Sequence, residues 1–490
     1  MKCKLIIQDE VNVKLVGLDV SLRRKLHEKW KKEIQGARFM PAVKLGRWDG
    51  KKVFFTLAGA TYLNLIEHII PDIIDAGYDI ELEDQRTWPR SFEFEGVDEN
   101  SFSHHTWPED HQSAGQPIVL REHQVEAMNT MMANPQSLAS LATGSGKTMI
   151  TACLSSRCEQ YGRTLIIVPN KNLVLQTERD YKLLGLDVGV WFGDRKEPNH
   201  THTISTWQSL NVLQKKKNEI SESEAVECCK LTAFLEGIVA VIVDECHQIS
   251  AKVLSELLCG PLGHVPIRWG MTGTIPKDEC DRMCLTVCIG EVCIDIPASD
   301  LQEIGILSNC DIRVKQLVDH GEYKEYQKEL KYLVDNADRM HYVAGMIQEI
   351  AKTGNTLVLV DRIVAGEYLC EILTDAPFIR GKVAVMDRKE EYDAISAANN
   401  RIIVATYGCA AVGVDIPRLF NVVLIEPGKS FTRAIQSVGR GLRKASDKNH
   451  VTIHDITSTL KFSKRHLSKR KQYYKEAKYP FEMEKIDWQK

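Results

Sequence analysis

Short apolar runs alternate with amphipathic stretches of helical length along most of the chain. A continuous apolar run is typical of a strand buried on both faces, and such strands form parallel sheets that are covered by helices. The first series of runs lies at residues 165–168, 203–206, 238–243 and 270–272. The second series lies at residues 356–360, 382–385, 401–406, 421–425 and 451–454. This pattern predicts two α/β units in tandem.

The N-terminal region follows a different pattern, in which strands and helices are mixed. Strands are predicted near residues 3–8, 11–16, 51–57 and 78–83, with two helices between them. The segment 96–117 is rich in Ser, His, Pro and Gly and is typical of an exposed linker. We therefore predict a small α+β domain at residues 1–95, a linker at 96–117, α/β domains at 118–297 and 298–458, and a basic C-terminal tail at 459–490.

Composition places the chain among ordinary globular proteins. Hydrophobic residues make up 43% of the 490 positions and charged residues 26%, which excludes extensive disorder. The apolar run at the N-terminus is too short for a signal peptide, and no segment approaches the roughly 18 apolar residues that cross a bilayer. We therefore expect a soluble, intracellular protein that acts in the cytoplasm and has no membrane partner.

The fourteen cysteines also fit a reducing compartment, because they lack the paired spacing of secreted proteins. Four of them stand close together, at Cys280, Cys284, Cys288 and Cys293. Three of these thiols would share one helix face, which suits either a zinc or iron–sulfur site or a buried apolar face. We favour the buried face, since the usual two-residue spacing of metal ligands is absent.

Basic residues are concentrated in two segments, although the net charge of the chain is only -3. Residues 23–52 contain eleven Lys or Arg and three acids, and residues 461–478 contain eight against one. Screening limits charge effects to about 8–10 Å, so local patches rather than net charge attract phosphates. Both segments are candidate nucleic-acid surfaces. The alternatives are a solvated helix face in the first segment and a helix packed on the preceding domain in the second.

The clearest chemical signal is the sequence LATGSGKT at residues 141–148. A glycine-rich turn before a helix exposes backbone N–H groups to phosphate oxygens, while Lys147 supplies a positive charge and Thr148 a hydroxyl ligand for Mg²⁺. Leu141 stands where the general pattern has glycine, so the match depends on the second half. A turn that only links strand and helix is the alternative, and the Lys-Thr pair argues against it.

Two further motifs complete a nucleotide-hydrolysis pattern. The tetrapeptide DECH closes the apolar run at 238–243, and its Asp244 is placed to hold the same metal ion. The second α/β domain contains Arg440 and Arg443, three residues apart on a predicted helix, where both guanidinium groups can face a γ-phosphate. A basic helix stripe is the alternative. With these motifs together, the sequence predicts an ATPase whose site is built from both α/β domains.

The motifs occur in the order found in the superfamily 2 helicases and translocases, which the chain resembles over residues 118–458. The resemblance is carried by the segments 120–124, 141–148, 166–176, 205–210, 244–247, 272–274, 405–417 and 436–443. It implies two tandem RecA-like motor domains, each with a parallel sheet, that use ATP and Mg²⁺. The α+β domain precedes them.

The resemblance also implies roles for individual residues. Nucleotide contacts fall on Arg121, Gln124, Thr143, Gly144, Ser145, Gly146, Lys147, Thr148, Gly413, Asp415 and Gln436. The implied catalytic residues are Lys147, Asp244, Glu245, Arg440 and Arg443, with Glu245 orienting or deprotonating the attacking water and Thr148 and Asp244 holding Mg²⁺. Coupling of hydrolysis to movement is implied for His247, Thr272 and Thr274, and DNA contact for Pro169, Thr206, Trp207 and Thr406.

The N-terminal domain carries a narrower resemblance. Its segments 37–41 and 46–50 are similar to the N-terminal domain of the phage UvsW-type recombination helicases, which helps to grip DNA. The resemblance makes Arg47, Trp48, Lys51 and Lys52 candidate DNA contacts. A bulky aromatic among basic residues can stack on a base or simply fasten its turn to the core.

The leading prediction is an ATP-dependent DNA helicase that unwinds or branch-migrates intermediates of recombination, repair and replication. Its substrates would be forks, junctions, D-loops and R-loops, so its partners would be branched, forked or duplex DNA, RNA–DNA hybrids, and single-strand-binding or recombination proteins. The alternatives are a duplex translocase subunit of a restriction or repair complex, and a nucleic-acid-binding or strand-annealing module with a regulatory ATP site.

Overall fold

The computed structural model describes residues 1–88, 92–109, 113–218, 231, 233–250, 252–380, 398–410, 418–428, 450–476 and 478–490. The chain divides into two compact units. The first comprises Met1–Leu141 and Gly146–Asp295, and the second comprises Ala142–Ser145 and Ile296–Lys490. No helix in the described part of the chain is long and apolar enough to span a membrane.

The N-terminal part of the first unit is a small α+β region. Its strands are β1 (Lys2–Ile7), β2 (Asn12–Val16), β3 (Lys31–Glu33), β4 (Lys51–Val53), β5 (Ala60–Tyr62) and β6 (Asp79–Asp84), and its helices are α1 (Val20–Lys29), α2 (Pro41–Lys44) and α3 (Ile66–Asp75). Four strands form a sheet in the order β5-β2-β1-β6, and β3 pairs with β4. Asp19 caps α1 by accepting the Leu22 N–H at 2.8 Å, and Leu22 and Leu26 are buried on its inner face.

An α/β region follows in the same unit. Its strands are β7 (Gln136–Leu141), β8 (Arg163–Val168), β9 (Val188–Phe192), β10 (Arg195–Lys196), β11 (His202–Thr206), β12 (Ile238–Asp244), β13 (Ile267–Thr272) and β14 (Glu291–Ile296). Its helices are α4 (Glu122–Ala133), α5 (Lys147–Cys158), α6 (Lys171–Leu183), α7 (Trp207–Asn218), α8 (Lys252–Cys259) and α9 (Glu279–Cys288). In the described residues the sheet order is β10-β9-β11-β8-β12-β13-β7-β14, and the ladders from β11 to β7 are parallel.

The two parts of the first unit share one hydrophobic core. Buried side chains of the small sheet and of α8 and α9 belong to a single cluster. Backbone and amide hydrogen bonds also join the parts: Glu10 N–H donates to the Gly263 carbonyl at 3.0 Å, and Asn12 Nδ2 donates to the Cys259 carbonyl at 2.8 Å. The N-terminal region is therefore fixed on the α/β region rather than tethered to it.

The segment predicted as an exposed linker is exposed along most of its described length, but it is anchored at two points. Val97 and Phe102 are buried. The Val97 backbone exchanges two hydrogen bonds with the Asn129 side chain, at 2.9 and 2.8 Å. These contacts hold the segment along α4.

The second unit contains another parallel sheet. Its strands are β15 (Asn309–Leu317), β16 (Thr356–Val360), β17 (Phe378–Ile379), β18 (Ile402–Thr406), β19 (Asn421–Ile425), β20 (His450–Ser458) and β21 (Phe481–Ile486). Its helices are α10 (Ala298–Glu303), α11 (Tyr326–Asp335), α12 (Ala337–Ala351), α13 (Ile363–Ile372), α14 (Tyr407–Ala410) and α15 (Lys461–Glu476). In the described residues the order is β17-β18-β16-β19-β20-β15-β21, and each neighbouring pair is parallel.

The C-terminal segment, for which two interpretations were open, packs into this second unit. Strand β21 pairs with β15, and the buried Arg470 of α15 holds the Asp455 carboxylate through two hydrogen bonds of 2.9 Å. The Tyr474 hydroxyl donates to the same carboxylate at 2.9 Å. Helix α15 thus has a buried charged side as well as an exposed basic one.

Candidate nucleotide and nucleic-acid site

The glycine-rich loop joins β7 to α5 as the sequence predicts. Gly144 and Gly146 have φ angles of 90° and 88°, a left-handed region that favours glycine. Gly146 is also restricted by space, because a Cβ atom there would lie 2.2 Å from Gln124 Nε2. Lys147 and Thr148 begin α5, whose first-turn N–H groups have no partners within the helix. The loop therefore ends on a helix terminus suited to phosphate oxygens.

Acidic residues follow a nearby strand at the same edge of the sheet. Asp244 ends β12, and its carboxylate accepts the Glu245 N–H at 2.8 Å. Lys147 Nζ lies 4.0 Å from Glu245 Oε1 and 3.3 Å from the Leu141 carbonyl oxygen. Burial, and then the neighbouring charge of Glu245, raise the pKa of Asp244 to about 6. The pocket thus holds two carboxylates in a poorly solvated place, which favours binding of a further cation.

The donors available there fit Mg²⁺. Asp244 offers a carboxylate and Thr148 a hydroxyl in the first turn of α5, and Mg²⁺ takes few protein ligands when phosphate oxygens and water complete its shell. Glu245 adopts a φ of 49°, an uncommon conformation for a residue with a side chain. Such strain occurs often at functional sites, where the surrounding structure holds it.

Gln124 and Arg121 lie at the start of α4. The Gln124 side-chain oxygen accepts the Arg121 backbone N–H at 2.9 Å, which fixes the orientation of the amide. Gln124 is buried and its nitrogen approaches Gly146, whereas Arg121 is exposed. The structure therefore brings Gln124 to the glycine-rich loop.

A short chain of polar contacts leads away from the acidic residues. His247 Nδ1 lies 3.3 Å from Glu245 Oε2 and 3.0 Å from the Thr272 hydroxyl. That hydroxyl donates to the Thr274 carbonyl at 3.1 Å and accepts the Thr274 N–H at 3.2 Å. The three residues predicted to couple hydrolysis to movement are thus connected to Glu245.

Pro169, Thr206 and Trp207 gather at the ends of two adjacent strands. Val168 of β8 is the register partner of Thr206 of β11, so Pro169 and Trp207 follow neighbouring strand ends. The Thr206 hydroxyl accepts the Ser209 N–H at 3.3 Å and so caps α7. In the described part of the chain, the buried Trp207 Nε1 has no hydrogen-bond partner.

The second unit contributes one described candidate. Thr406 ends β18 beside Val360 and is half-buried. The remaining candidates of this unit lie outside the described residues: Gly413, Asp415, Gln436, Arg440 and Arg443.

The candidate DNA contacts of the N-terminal region differ in their surroundings. Arg47 and Lys51 are exposed. Trp48 Nε1 donates to the Lys51 carbonyl at 3.1 Å, so the indole fastens its own turn. Lys52 Nζ donates to Cys284 Sγ at 3.1 Å; burial acts to lower the pKa of Lys52, but the nearby thiols raise it overall.

The cysteine cluster is a buried helix face. Cys280, Cys284 and Cys288 are buried on α9. Within the described residues, which include all four cysteines, no group of three or more His, Cys, Asp or Glu could hold a metal ion. These thiols belong to the same buried cluster as the side chains of the N-terminal region, which is the interpretation that the sequence favoured.

Three exposed apolar residues of the N-terminal region were not among the predicted site residues, although the segment 37–41, which carries a resemblance, includes two of them. Phe39, Met40 and Leu45 are 66%, 43% and 64% exposed. Apolar residues that are exposed together can mark an interaction site.

Comparisons with known proteins find similarity to helicases and related restriction enzymes. The model of the Type III restriction enzyme res subunit matches residues 117–277, and the helicase conserved C-terminal domain matches residues 338–445. The ATP-dependent DNA helicase uvsW of Enterobacteria phage T4 is 23% identical over 495 residues, which cover 96% of this chain and 94% of that protein. The DNA 3'-5' translocase XPB2 of Sulfurisphaera tokodaii is 22% identical, over 69% of this chain and 82% of that protein.

A solved structure supports the fold. The ATP-dependent Type ISP restriction-modification enzyme LlaBIII bound to DNA has a TM-score of 0.57 and 15% identity. The match covers 85% of this chain and 34% of that chain. This likeness concerns the fold of the α/β regions.

The chain belongs to superfamily 2 of the helicases, with two RecA-like motor domains preceded by an α+β region. It is an ATP-dependent helicase. Within that superfamily it is similar to the phage T4 helicase along nearly its whole length.

Proposed function

We propose that this helicase unwinds or branch-migrates DNA intermediates of recombination, repair and replication, namely forks, junctions, D-loops and R-loops. The observation that carries the proposal is the similarity to a protein named as a DNA helicase over 96% of the chain, including the N-terminal region. The exposed basic residues of that region support a phosphate-rich partner.

The nucleotide chemistry follows from the edge of the first sheet. Lys147 and the N–H groups at the start of α5 hold the phosphates of ATP, while Thr148 and Asp244 hold Mg²⁺. Mg²⁺ held by Thr148 and Asp244 would supply positive charge beside the transferred phosphoryl group. Glu245 orients the attacking water and takes up its proton, in a backbone conformation that aims its carboxylate toward Lys147.

Further nucleotide contacts come from both motor domains. Gln124 reads the adenine base, and Arg121 assists at the exposed rim. Thr143, Gly144, Ser145 and Gly146 wrap the phosphates. From the second motor domain, Arg440 and Arg443 complete the charge around the γ-phosphate, and Gly413, Asp415 and Gln436 contact the nucleotide. Hydrolysis therefore requires both domains.

The proposed nucleic-acid contacts lie at strand ends in each of the two sheets. Pro169, Thr206 and Trp207 contact it in the first motor domain, and Thr406 in the second. Arg47 and Lys51 bind phosphates beside the motor. We assign Lys52 and Trp48 to internal contacts instead, since the first is engaged with Cys284 and the second with the Lys51 carbonyl.

The change Lys147→Ala tests the motor. We expect hydrolysis to fall at least a hundredfold, because the ammonium group stabilises charge on the phosphates, and migration of a four-way junction to stop. DNA binding should persist, as measured by fluorescence anisotropy. The matched control is Lys252→Ala, an exposed lysine on α8 whose side chain is 85% exposed.

If the Lys147→Ala protein migrates the junction at the wild-type rate, the proposal that ATP hydrolysis drives a motor is wrong. Such a result would support the annealing module with a regulatory ATP site.

A duplex translocase is the second candidate function, favoured by the match to the restriction-enzyme subunit model. DNA-stimulated hydrolysis with single strand, duplex, fork, junction and RNA–DNA hybrid separates the two. Equal stimulation by plain duplex and by fork would favour the translocase.

A further inference from the structure

The segment of residues 34–50 projects between β3 and β4 and has its own internal hydrogen bonds. At its base, the Ile34 N–H donates to the Gly50 carbonyl at 3.0 Å. Within it, the Leu45 N–H donates to the Pro41 carbonyl at 2.9 Å, and the Met40 N–H to the Ala37 carbonyl at 2.8 Å. Ala37 is buried against this base. We call this segment the 34–50 projection.

The outer part of the 34–50 projection is apolar. Phe39 and Leu45 are 66% and 64% exposed, and Met40 is 43% exposed. The Arg38 guanidinium lies 4.8 Å from the centroid of the Phe39 ring, which holds the ring in place. An ordered, exposed ring beside two flexible apolar side chains is a surface that water solvates poorly.

The segment that carries this apolar tip has a net positive charge. The segment 34–51 contains four basic residues and one acid. The acid, Asp49, accepts the Lys51 N–H at 3.1 Å. Two acids outside the segment, Glu33 and Asp278, line a cleft beside Phe39, and the Asp278 carboxylate is occupied by the Cys280 N–H at 3.0 Å.

We propose that the 34–50 projection is a wedge that stacks on the bases at a DNA branch point. The proposal rests on the DNA-remodelling function proposed above. Nucleic acid is the partner that offers both flat apolar faces, for Phe39, and phosphates, for the basic rim. The three exposed side chains present on the order of 300 Å², well below the roughly 800 Å² per partner of a stable protein interface.

The wedge is fixed to the motor at two points. Lys32 of β3 pairs with Glu279 at 2.7 Å, and Lys52 of β4 bonds to Cys284. Both partners lie on α9, the helix that follows the Thr272–Thr274 segment. A rigid mount is what a wedge requires, because a flexible one would yield instead of holding a base pair open.

The wedge is tested with the variant Phe39→Ala/Met40→Ala/Leu45→Ala. The substrate is a fork with 2-aminopurine at the branch-point pair, beside a blunt duplex of the same length. We expect the wild-type protein to change the 2-aminopurine fluorescence on binding without ATP. In the variant this change should be at least fivefold smaller, and the preference for fork over duplex about tenfold weaker, because base stacking is lost.

Two sets of controls accompany this variant. Leu57→Ala and Ile74→Ala remove apolar residues that are 51% and 57% exposed elsewhere in the N-terminal region, and both should behave as wild type. Phe39→Trp should keep the fluorescence change and Phe39→Leu should lose most of it, which separates stacking from general apolarity. Thermal unfolding confirms that each variant is folded.

The outcomes separate the wedge from the function on which it rests. The wedge proposal is wrong if the wild-type protein unwinds forks and the triple variant keeps the fluorescence change and the fork preference. The three apolar side chains would then belong to a surface that binds a protein partner. If the fluorescence change is present and depends on Phe39 while no DNA structure is unwound, the wedge stands and the proposed function fails.

Discussion

The carboxyl edges of the two parallel sheets carry the same kinds of charged group in opposite arrangements. At the edge of the first sheet, Lys147 Nζ stands 4.0 Å from the Glu245 carboxylate. At the edge of the second, the Arg339 guanidinium contacts Asp319 at 3.1 Å and also pairs with Glu426. The side chains of this second group are at most 4% exposed.

This difference in charge separation indicates which of the two sheet edges is suited to bind a ligand. Burial raises the pKa of Asp244 in the first group to about 6 and that of Glu426 in the second to about 7, so both places favour added positive charge. In the second group the chain supplies that charge from its own Arg339, and the Trp488 Nε1 donates to Asp319 at 3.0 Å. The first group leaves space between its charges, as a site for metal and phosphate must.

Among the tests of this contrast, the variant Arg339→Met has the largest expected effect. Removing the guanidinium deprives two buried carboxylates of the cation that they contact, and we expect the free energy of unfolding to fall by about 3–5 kcal/mol. Urea unfolding at pH 7.5 measures it. A smaller loss is expected for Lys147→Ala, since its ammonium group pairs only at 4.0 Å.

The control is Arg313→Met, which removes an arginine that is 58% exposed and pairs with Asp311 at the surface. It should change the free energy of unfolding by less than about 0.5 kcal/mol. Equal losses in the free energy of unfolding from Arg339→Met and Lys147→Ala would contradict the contrast. The charged groups at both sheet edges would then serve to stabilise the fold.

Strands with continuous apolar runs were predictable from the sequence. Strands β16 and β19 were expected at 356–360 and 421–425 and are found at those residues, and β12 differs by one residue. Strands β15 and β21 were missed, because each alternates polar and apolar positions and β21 carries three charged residues. Their pairing joins residues far apart in sequence, which local patterns do not reveal.

Some features of the candidate site were predictable from the sequence and others were not. The glycine-rich loop and the acidic tetrapeptide were recognisable because their chemistry needs those residues in that order. The bond between Lys52 and Cys284 joins residues that are 232 positions apart, so Lys52 was taken for a free basic residue. The left-handed backbone of Glu245 was equally invisible, since tertiary contacts impose it.

A second, smaller test concerns His454 in β20 of the second sheet. Its side chain is buried, and neither ring nitrogen has a hydrogen-bond partner in the described residues. Burial, and then the charges of Lys315 and Arg313, lower its pKa to about 4. The neutral form is favoured by folding, so stability is present above pH 6.5 and is lost as the pH falls toward 4.

The variant His454→Leu should remove this acid sensitivity. Between pH 7.5 and pH 5, we expect the wild-type free energy of unfolding to fall by about 2 kcal/mol more than that of the variant. Urea unfolding at the two pH values measures the difference. The exposed His341, changed to Gln, is the control and should follow the wild-type protein; an unchanged pH dependence in His454→Leu would place the sensitivity elsewhere.

The smallest expected effect belongs to the first sheet, at Thr272. Its hydroxyl lies between His247 and Thr274, so Thr272→Val removes polar contacts at nearly constant volume. A hydrogen bond of this kind contributes about 1 kcal/mol, and we expect base pairs separated per ATP hydrolysed to fall roughly five- to tenfold. Parallel measurement of strand separation and phosphate release gives the ratio.

Two further threonine variants decide whether that effect belongs to coupling. Thr272→Ser keeps the hydroxyl and should restore most of the ratio. Thr356→Val removes an equally buried hydroxyl from the second sheet and should leave the ratio unchanged. That hydroxyl donates to the Gly354 carbonyl at 2.9 Å and accepts from Asn421 Nδ2 at 3.4 Å. If Thr272→Val and Thr356→Val lower the ratio alike, the effect is one of general stability, and the polar contacts at the first edge do not transmit hydrolysis to the strand.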